Sequence, residues 1–237
     1  MKKCIAILAA LPREVAPLVR NWPSSTHFDR EGASLWECDG AIVVCAGMGR
    51  KRVARALELA EARSSVESKN SIESKGSIGS IFSVGYAGAL RSGMATNTVY
   101  WPATVIDAQT GESFECEGGD GTLVTSDHVV HAAEKQELAA RWNADLVDME
   151  AAAVARLAQT RNLPFRTLRV ISDEVADTLP DLGRFTDDAG GFRETAFAVY
   201  LGLHPWLIPA AVRMGKRAAQ GSRLIAETLR PICEQSE

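Results

Sequence analysis

This 237-residue sequence has few cysteines and lacks long apolar runs. Its five cysteines are scattered and form no Cys-x-x-Cys pair, which argues against a disulfide framework and a zinc site and favours a reducing, cytoplasmic compartment. The longest apolar runs, Cys4–Leu11 and Ala41–Gly49, are far shorter than the roughly 20 residues that a helix needs to cross a bilayer. We therefore expect no integral membrane segment.

The sequence also lacks an excess of basic residues over acidic ones. Lys and Arg number 26 against 30 Asp and Glu, which gives a net charge of −4 with the signs interspersed. Binding to a phosphate backbone needs a positive field, so nucleic acid is not an expected partner. Lys2 and Lys3 precede an apolar stretch as in a signal peptide, but Pro12 follows at once and no small-residue cleavage site is present, so we interpret Cys4–Ala9 as a buried strand.

What the sequence does contain is an alternation of strand-like and helix-like segments. It predicts a single α/β domain over residues 1–237, with a mostly parallel sheet covered on both faces. A strand is expected at 81–84, ending in a glycine-rich turn at 85–90. Ser126 is expected to cap a helix that runs to Trp142. Residues 64–80, rich in Ser, Lys and Gly, are predicted to form a mobile surface loop.

Three carboxylates stand where an apolar run passes into a turn or a helix: Glu14, Glu150 and Asp173. Ligands of such sheets bind at the carboxyl ends of the strands, where burial tunes acids for catalysis. The alternative is that Glu14 and Glu150 are favourable helix-start charges and that Asp173 caps a turn. Spacing alone does not decide between these interpretations.

The run LVDMEAAAVARLAQTRNLPFRTLRVISDEVAD, residues 146–177, carries a Met-Glu pair opening a helix and an Arg-x-Ile-Ser-Asp motif some twenty residues later. Together with Ala46–Gly49 and Val84–Leu90, in the same order, it resembles the superfamily of purine nucleoside phosphorylases and methylthioadenosine/S-adenosylhomocysteine nucleosidases. The resemblance implies a three-layer αβα sandwich with a central mixed, mostly parallel twisted sheet. It also implies a small-molecule purine nucleoside as substrate and a homodimer or larger homo-oligomer.

The resemblance further implies a role for each acid. Asp173 is similar to the acid that serves the purine N7, Glu150 to the carboxylate that accepts hydrogen bonds from the ribose hydroxyls, and Glu14 to the base that activates water. Arg169 is similar to an arginine near that water, and Met149 to a residue that packs on the sugar. The remaining substrate contacts implied are Gly47, Met48, Gly85, Tyr86, Val129, Val130 and Ser172.

Hydrolysis is the expected reaction, and phosphorolysis is the alternative. Bacterial phosphorylases of the superfamily carry an arginine just before the Val-Gly turn, where this chain has Ser83, and Glu14 stands at the water-activating position. Arg13, Arg50 and Arg169 are nevertheless candidates to bind phosphate. Tyr86 replaces a small hydroxyl residue, and the sequence leaves open whether it positions a nucleophile or narrows the pocket. If it blocks the nucleophile, the protein is an inactive nucleoside binder.

Two departures concern the substrate. The nucleosidases carry a phenylalanine that stacks on adenine, where this chain has Ser126–Val130. The segment between Ile106 and Leu123 is shorter than the corresponding segment of the nucleosidases. Motifs at 178–185 and 204–209 resemble the hopanoid-associated branch of the superfamily, which implies an adenosine with a bulky apolar 5′-group. No cofactor is expected, other than phosphate as co-substrate of a phosphorylase. No metal is expected either, since His128 and His131 lack a third ligand.

Overall fold

The computed structural model describes residues 3–22, 32–38, 40–47, 50–65, 77–177 and 208–235, together with the single residues 200, 204 and 206. Met48, most of the predicted 64–80 loop and the 178–185 motif lie outside the described residues. At the edges of that predicted loop, Ser64 and Ser65 complete a helix and residues 78–80 begin a strand.

The strands are β1 (Cys4–Ala9), β2 (Ser34–Glu37), β3 (Ala41–Cys45), β4 (Ile78–Ala89), β5 (Val99–Tyr100), β6 (Thr104–Asp107), β7 (Ser113–Glu115), β8 (Thr122–Thr125), β9 (Leu146–Asp148) and β10 (Phe165–Asp173). The helices are α1 (Pro12–Val19), α2 (Arg50–Ser65), α3 (Ala132–Trp142), α4 (Ala151–Thr160) and α5 (Ile208–Gln235). Neither α5 nor another helix in the described ranges is long and apolar enough to cross a membrane.

The strands form one mixed sheet, in the order β2-β3-β1-β4-β9-β8-β6-β7; β10 branches from β4, and β5 pairs with β10. Strand β4 is central, because β1 and β10 both pair with it in parallel and β9 pairs antiparallel with its last residues. The predicted α/β architecture is confirmed. The carboxyl ends of β1, β4 and β10 therefore meet at one edge of the sheet, where ligands bind in folds of this class.

Helices cover both faces of the sheet. Helices α2 and α4 pack on one face through residues such as Leu57 and Val154, and α1 and α5 pack on the other through residues such as Val15 and Ile225. All four of these side chains are essentially inaccessible to solvent. The predicted three layers follow from this arrangement.

Two local predictions were wrong. Residues 85–89 continue β4 rather than turning, because β10 supplies hydrogen-bonding partners as far as Gly88. Helix α3 begins at Ala132 and not at Ser126, so His128 lies in an irregular segment and His131 is the residue before the helix.

A register shift between Ile171 and Asp173 makes Ser172 an extra residue opposite β4. A bulge of this kind changes the direction in which neighbouring side chains point. It lies at the end of β10, beside Gly88 of β4, where three strands converge. The bulge thus determines how the Ser172-Asp173 pair is presented.

Candidate active site

A cavity of about 320 Å³ lies at the carboxyl ends of β1, β4 and β10. The predicted site residues that line it are Glu14, Gly47, Gly85, Tyr86, Val129, Val130, Met149, Glu150, Arg169, Ser172 and Asp173. The structure thus brings together all predicted site residues except Met48, which is outside the described residues. Their individual roles remain predictions.

Glu14 is a buried carboxylate, 6% exposed, at the start of α1. The backbone N–H groups of Ala10 and Leu11 each donate to its Oε2 at 3.0 Å. It therefore caps its own helix and also faces the cavity, so the structural and the functional interpretations of this residue are compatible. Burial raises the pKa of Glu14, opposed by the Leu11 amide and by the charge of Arg169. A carboxylate with a raised pKa is a stronger base than an ordinary one.

Arg169 is 2% exposed, and protein groups engage all five of its N–H donors. Nε and Nη2 donate to Asp148 Oδ2 at 3.1 and 2.5 Å, and Nη2 also donates to Ser83 Oγ at 2.7 Å. The two Nη1 hydrogens go to the carbonyls of Ser83 and Leu168, both at 2.9 Å. A guanidinium has no further donor to offer a ligand. Arg169 acts on Glu14 through its charge, and its predicted place near the attacking water stays a prediction.

Asp148 holds the opposite side of this network. Its Oδ1 accepts a 2.6 Å hydrogen bond from Thr125 Oγ1, and its Oδ2 accepts one from the N–H of Ala151 at 2.9 Å. The latter bond ties the start of α4 to the buried ion pair, which is a favourable place for a carboxylate. Met149 and Glu150 directly precede α4, so this network fixes the backbone that presents both of them to the cavity.

Asp173 is paired with a lysine that the sequence analysis did not single out. Lys135 Nζ donates to Asp173 Oδ2 at 2.5 Å and to the carbonyl of Glu174 at 2.7 Å, and the two paired side chains are 1% and 5% exposed. Ser172 Oγ lies 2.6 Å from the other carboxylate oxygen, Oδ1. Lys135 and Asp173 thus form a buried pair at the cavity wall.

The segment before α3 forms another part of the wall, with Val129 and Val130 lining the cavity. His128 fixes this segment, because Nδ1 lies 2.7 Å from Asp127 Oδ1 and Nε2 lies 2.8 Å from Glu134 Oε1. Asp127 and, less strongly, Glu134 raise the pKa of His128. The histidine therefore acts in an ion-pair network, and among the described residues no cluster of His, Cys, Asp or Glu could hold a metal.

The hydroxyl of Tyr86 contacts helix α5. Its Oη donates to the carbonyl of Ala218 in α5 at 2.6 Å, and burial raises the pKa of the phenol to about 12. A Cβ at Gly221 would lie 2.6 Å from Tyr86 Cε1, so this glycine makes room for the ring. Of the two interpretations that the sequence left open, this contact favours a wall residue that narrows the cavity and holds α5.

Sequence reasoning missed Lys135 and Asp148. Asp148 lies in the recognised Val-Asp-Met-Glu run, where a carboxylate three residues before the first turn of a helix is a detectable signal. Lys135 gave a weaker signal: an apolar residue would be expected on the inward face of α3, and a lysine there needs a buried partner.

The chain is similar to known proteins in part of its sequence and in its fold. The model of the phosphorylase superfamily matches residues 116–201. No curated protein sequence matches the chain. A nucleosidase for 5′-methylthioadenosine and S-adenosylhomocysteine from Helicobacter pylori, solved with butyl-thio-DADMe-Immucillin-A, is 15% identical with a TM-score of 0.69, covering 99% of each chain.

Two further structures have the same fold. The 5′-methylthioadenosine nucleosidase of Arabidopsis thaliana is 14% identical with a TM-score of 0.69, covering 99% of this chain and 96% of that one. The futalosine hydrolase of Helicobacter pylori is 18% identical with a TM-score of 0.59, covering 73% and 88%.

These findings define the class of the protein as the nucleoside phosphorylase and nucleosidase fold. The match over residues 116–201 agrees with the superfamily predicted from the sequence and supports an enzyme, while the solved structures, at 14–18% identity, show the fold.

Proposed function

We propose that this protein hydrolyses the N-glycosidic bond of a purine nucleoside and releases the base. The observation that carries the proposal is that Glu14, Glu150 and Asp173, distant in sequence, line one cavity. Cleavage of such a bond passes through a cationic sugar, so an enzyme must grip the pentose, neutralise the departing base and deliver a nucleophile.

In this proposal Glu14 is the general base. Water adds to C1′ of the sugar and gives a proton to Glu14, while the C–N bond breaks and its electron pair goes to the base. The base receives a proton at the Asp173 side of the cavity, and Glu150 accepts hydrogen bonds from the ribose hydroxyls. The raised pKa of Glu14 suits this role, because a base works best with a pKa near the working pH.

Phosphorolysis is the competing reaction, since Arg13, Arg52 and Arg217 also line the cavity. Arg217 already donates to Asp177 Oδ2 at 2.7 Å, and Arg169 has no donor left. Position 83, where bacterial phosphorylases carry an arginine, holds a serine whose hydroxyl accepts from Arg169. These contacts favour water as the nucleophile.

An adenosine with an apolar 5′-group is the substrate that we propose. Met214, Gly215 and Ala218 of α5 provide an apolar stretch of the cavity wall. A Cβ at Gly215 would meet nothing within 4 Å, so the space beside α5 is open. The related structures include nucleosidases of 5′-methylthioadenosine, which fits such a substituent.

The test is release of adenine from adenosine, methylthioadenosine and S-adenosylhomocysteine, each with and without phosphate. We expect release without phosphate. An absolute need for phosphate would make the protein a phosphorylase, and a bound nucleoside that is never cleaved would make it a binding protein. Glu14→Gln should retain binding and lose about 10²- to 10⁴-fold in kcat. Glu137→Gln, at an exposed site on α3, is the matched control and should be fully active.

A further inference from the structure

The Lys135–Asp173 pair is the least expected feature of the cavity. Lys135 belongs to α3, whose next two residues, Gln136 and Glu137, are exposed, yet its own side chain is 1% exposed. Burying an ammonium is costly even when it is paired, and replacing both members of a buried ion pair by apolar side chains is often neutral or stabilising. The position of the charge in a cavity wall points to a use for it in ligand binding.

An ammonium group has three N–H donors. Asp173 Oδ2 and the Glu174 carbonyl take two of them, and no further acceptor among the described residues is bound to Nζ. The pair therefore presents to the cavity an N–H donor next to a carboxylate acceptor. Both are fixed by contacts of 2.5 and 2.7 Å on the lysine and by Ser172 on the carboxylate.

Adenine carries the complementary pattern on one edge, with N7 as an acceptor beside the N6 amino group as a donor. A 6-oxopurine offers acceptors at both positions, so its carbonyl oxygen would face the carboxylate. The pair thus matches a 6-aminopurine in a way that a lone carboxylate, which only accepts when ionised, does not.

We propose that Lys135 is a catalytic residue that donates its third N–H to N7 of an adenine-type base, while Asp173 holds the ammonium in place and accepts from the N6 amino group. This inference rests on the proposed function, and it names the source of the proton in that reaction. As the C–N bond breaks, its electron pair goes to the base and the Nζ proton moves to N7. Lys135 is left as an amine and regains a proton from solvent, which balances the proton that Glu14 takes from water and later releases.

The inference is tested by binding of the free bases adenine and 7-deazaadenine, which lacks the N7 acceptor, measured by calorimetry on the whole protein. This readout requires no turnover. The wild-type protein should bind adenine about 10- to 100-fold more tightly, because a hydrogen bond from a charged donor is at stake. Lys135→Met should bring the ratio close to one, whereas a merely structural lysine would weaken both bases equally and leave the ratio unchanged.

Gln136→Met introduces the same side chain at the exposed neighbouring position and should keep the wild-type ratio. If Lys135→Met does not fold because Asp173 is left as a buried unpaired charge, the neutral double variant Lys135→Met/Asp173→Leu serves instead, since it adds no N–H donor and should show the same loss. A wild-type protein that binds both bases equally, or a variant that retains the preference, would overturn the inference. Failure of the proposed function looks different: the wild type then releases no base from any nucleoside, whatever the binding ratio.

Discussion

Gly88 and Gly85 lie on the same strand, and each faces one of the acids of the cavity at a different distance. A Cβ at Gly88 would lie 2.8 Å from Asp173 Oδ2 and 3.4 Å from Val147 Cγ1. A Cβ at Gly85 would lie 3.7 Å from both carboxylate oxygens of Glu14, which is an ordinary contact. Neither glycine has a positive φ. The pair of Gly→Ala substitutions therefore isolates the effect of crowding each acid.

In Gly88→Ala the carboxylate of Asp173 must retreat by about 0.6 Å to regain an ordinary contact of 3.4 Å. It has little room to do so, because Lys135 Nζ holds the same oxygen at 2.5 Å. Misplacement of a reacting group by about 1 Å costs on the order of 10²-fold in rate, so we expect kcat/KM to fall about 10- to 100-fold. Gly85→Ala should stay within about threefold of the wild type, since nothing there has to move.

The assay is adenine release from the best nucleoside substrate, with thermal melts to show that both variants fold. Overpacking makes Gly88→Ala less stable by about 1–3 kcal/mol, and activity is therefore compared well below its Tm. Equal losses in the two variants would show that the strand, and not the position of Asp173, is responsible. Full activity of Gly88→Ala would refute a role for the position of that carboxylate.

Three further outcomes follow from the buried contacts. Arg169→Met leaves Asp148 as an unpaired buried charge and should lower the free energy of unfolding by about 3–5 kcal/mol. The control Arg161→Met breaks an exposed 3.0 Å pair with Glu61 and should lower it by less than about 1 kcal/mol. Similar losses for the two variants in urea denaturation would contradict this. Gly221→Ala should destabilise the protein by about 1–3 kcal/mol, because its Cβ would meet the ring of Tyr86. Most of this loss should vanish in a background that carries Tyr86→Ser, which removes the ring. Thermal melts in which the losses of the two single variants add up in the double variant would count against the contact. Burial raises the pKa of Glu14 above 4.5, so the carboxylate form that acts as a base is lost as the pH falls through that raised value. The value of kcat/KM should therefore begin to fall with decreasing pH while the pH is still above 4.5. A pH profile that stays flat down to 4.5 would speak against Glu14 as the base.

Much of the fold could be predicted from the sequence, because its signals are local. Buried apolar runs such as Cys4–Ala9 indicate strands by themselves. Prediction failed where a distant strand decides the outcome. Residues 85–89 resemble a glycine-rich turn, yet they continue β4 because β10, some eighty residues further along the chain, pairs with them as far as Gly88. The bulge at Ser172 depends on the same pairing and has no local signal.

The candidate site was likewise only partly predictable from the sequence. Glu14, Glu150 and Asp173 were identifiable from their positions at element ends and from a motif, and they line one cavity. Which residue pairs with which acid was not identifiable, because an ion pair such as Lys135–Asp173 joins residues 38 positions apart and no periodicity indicates the pairing. The same holds for Arg169: the motif suggests a ligand-binding arginine, and only the contacts show that its donors are engaged by Asp148, Ser83 and Leu168.

The buried charges also bear on the choice between water and phosphate. A phosphate dianion bound on the Glu14 side would lie near a buried carboxylate, and like charges repel strongly where solvent screening is weak. Arg169 is the buried cation closest in effect to Glu14, but it cannot contribute a hydrogen bond to an anion without losing one to Asp148, Ser83 or Leu168. Water carries no charge, requires only an acceptor for its proton, and finds one in Glu14. The buried charges around Glu14 therefore support the proposal that water is the nucleophile, and the assay with and without phosphate tests it.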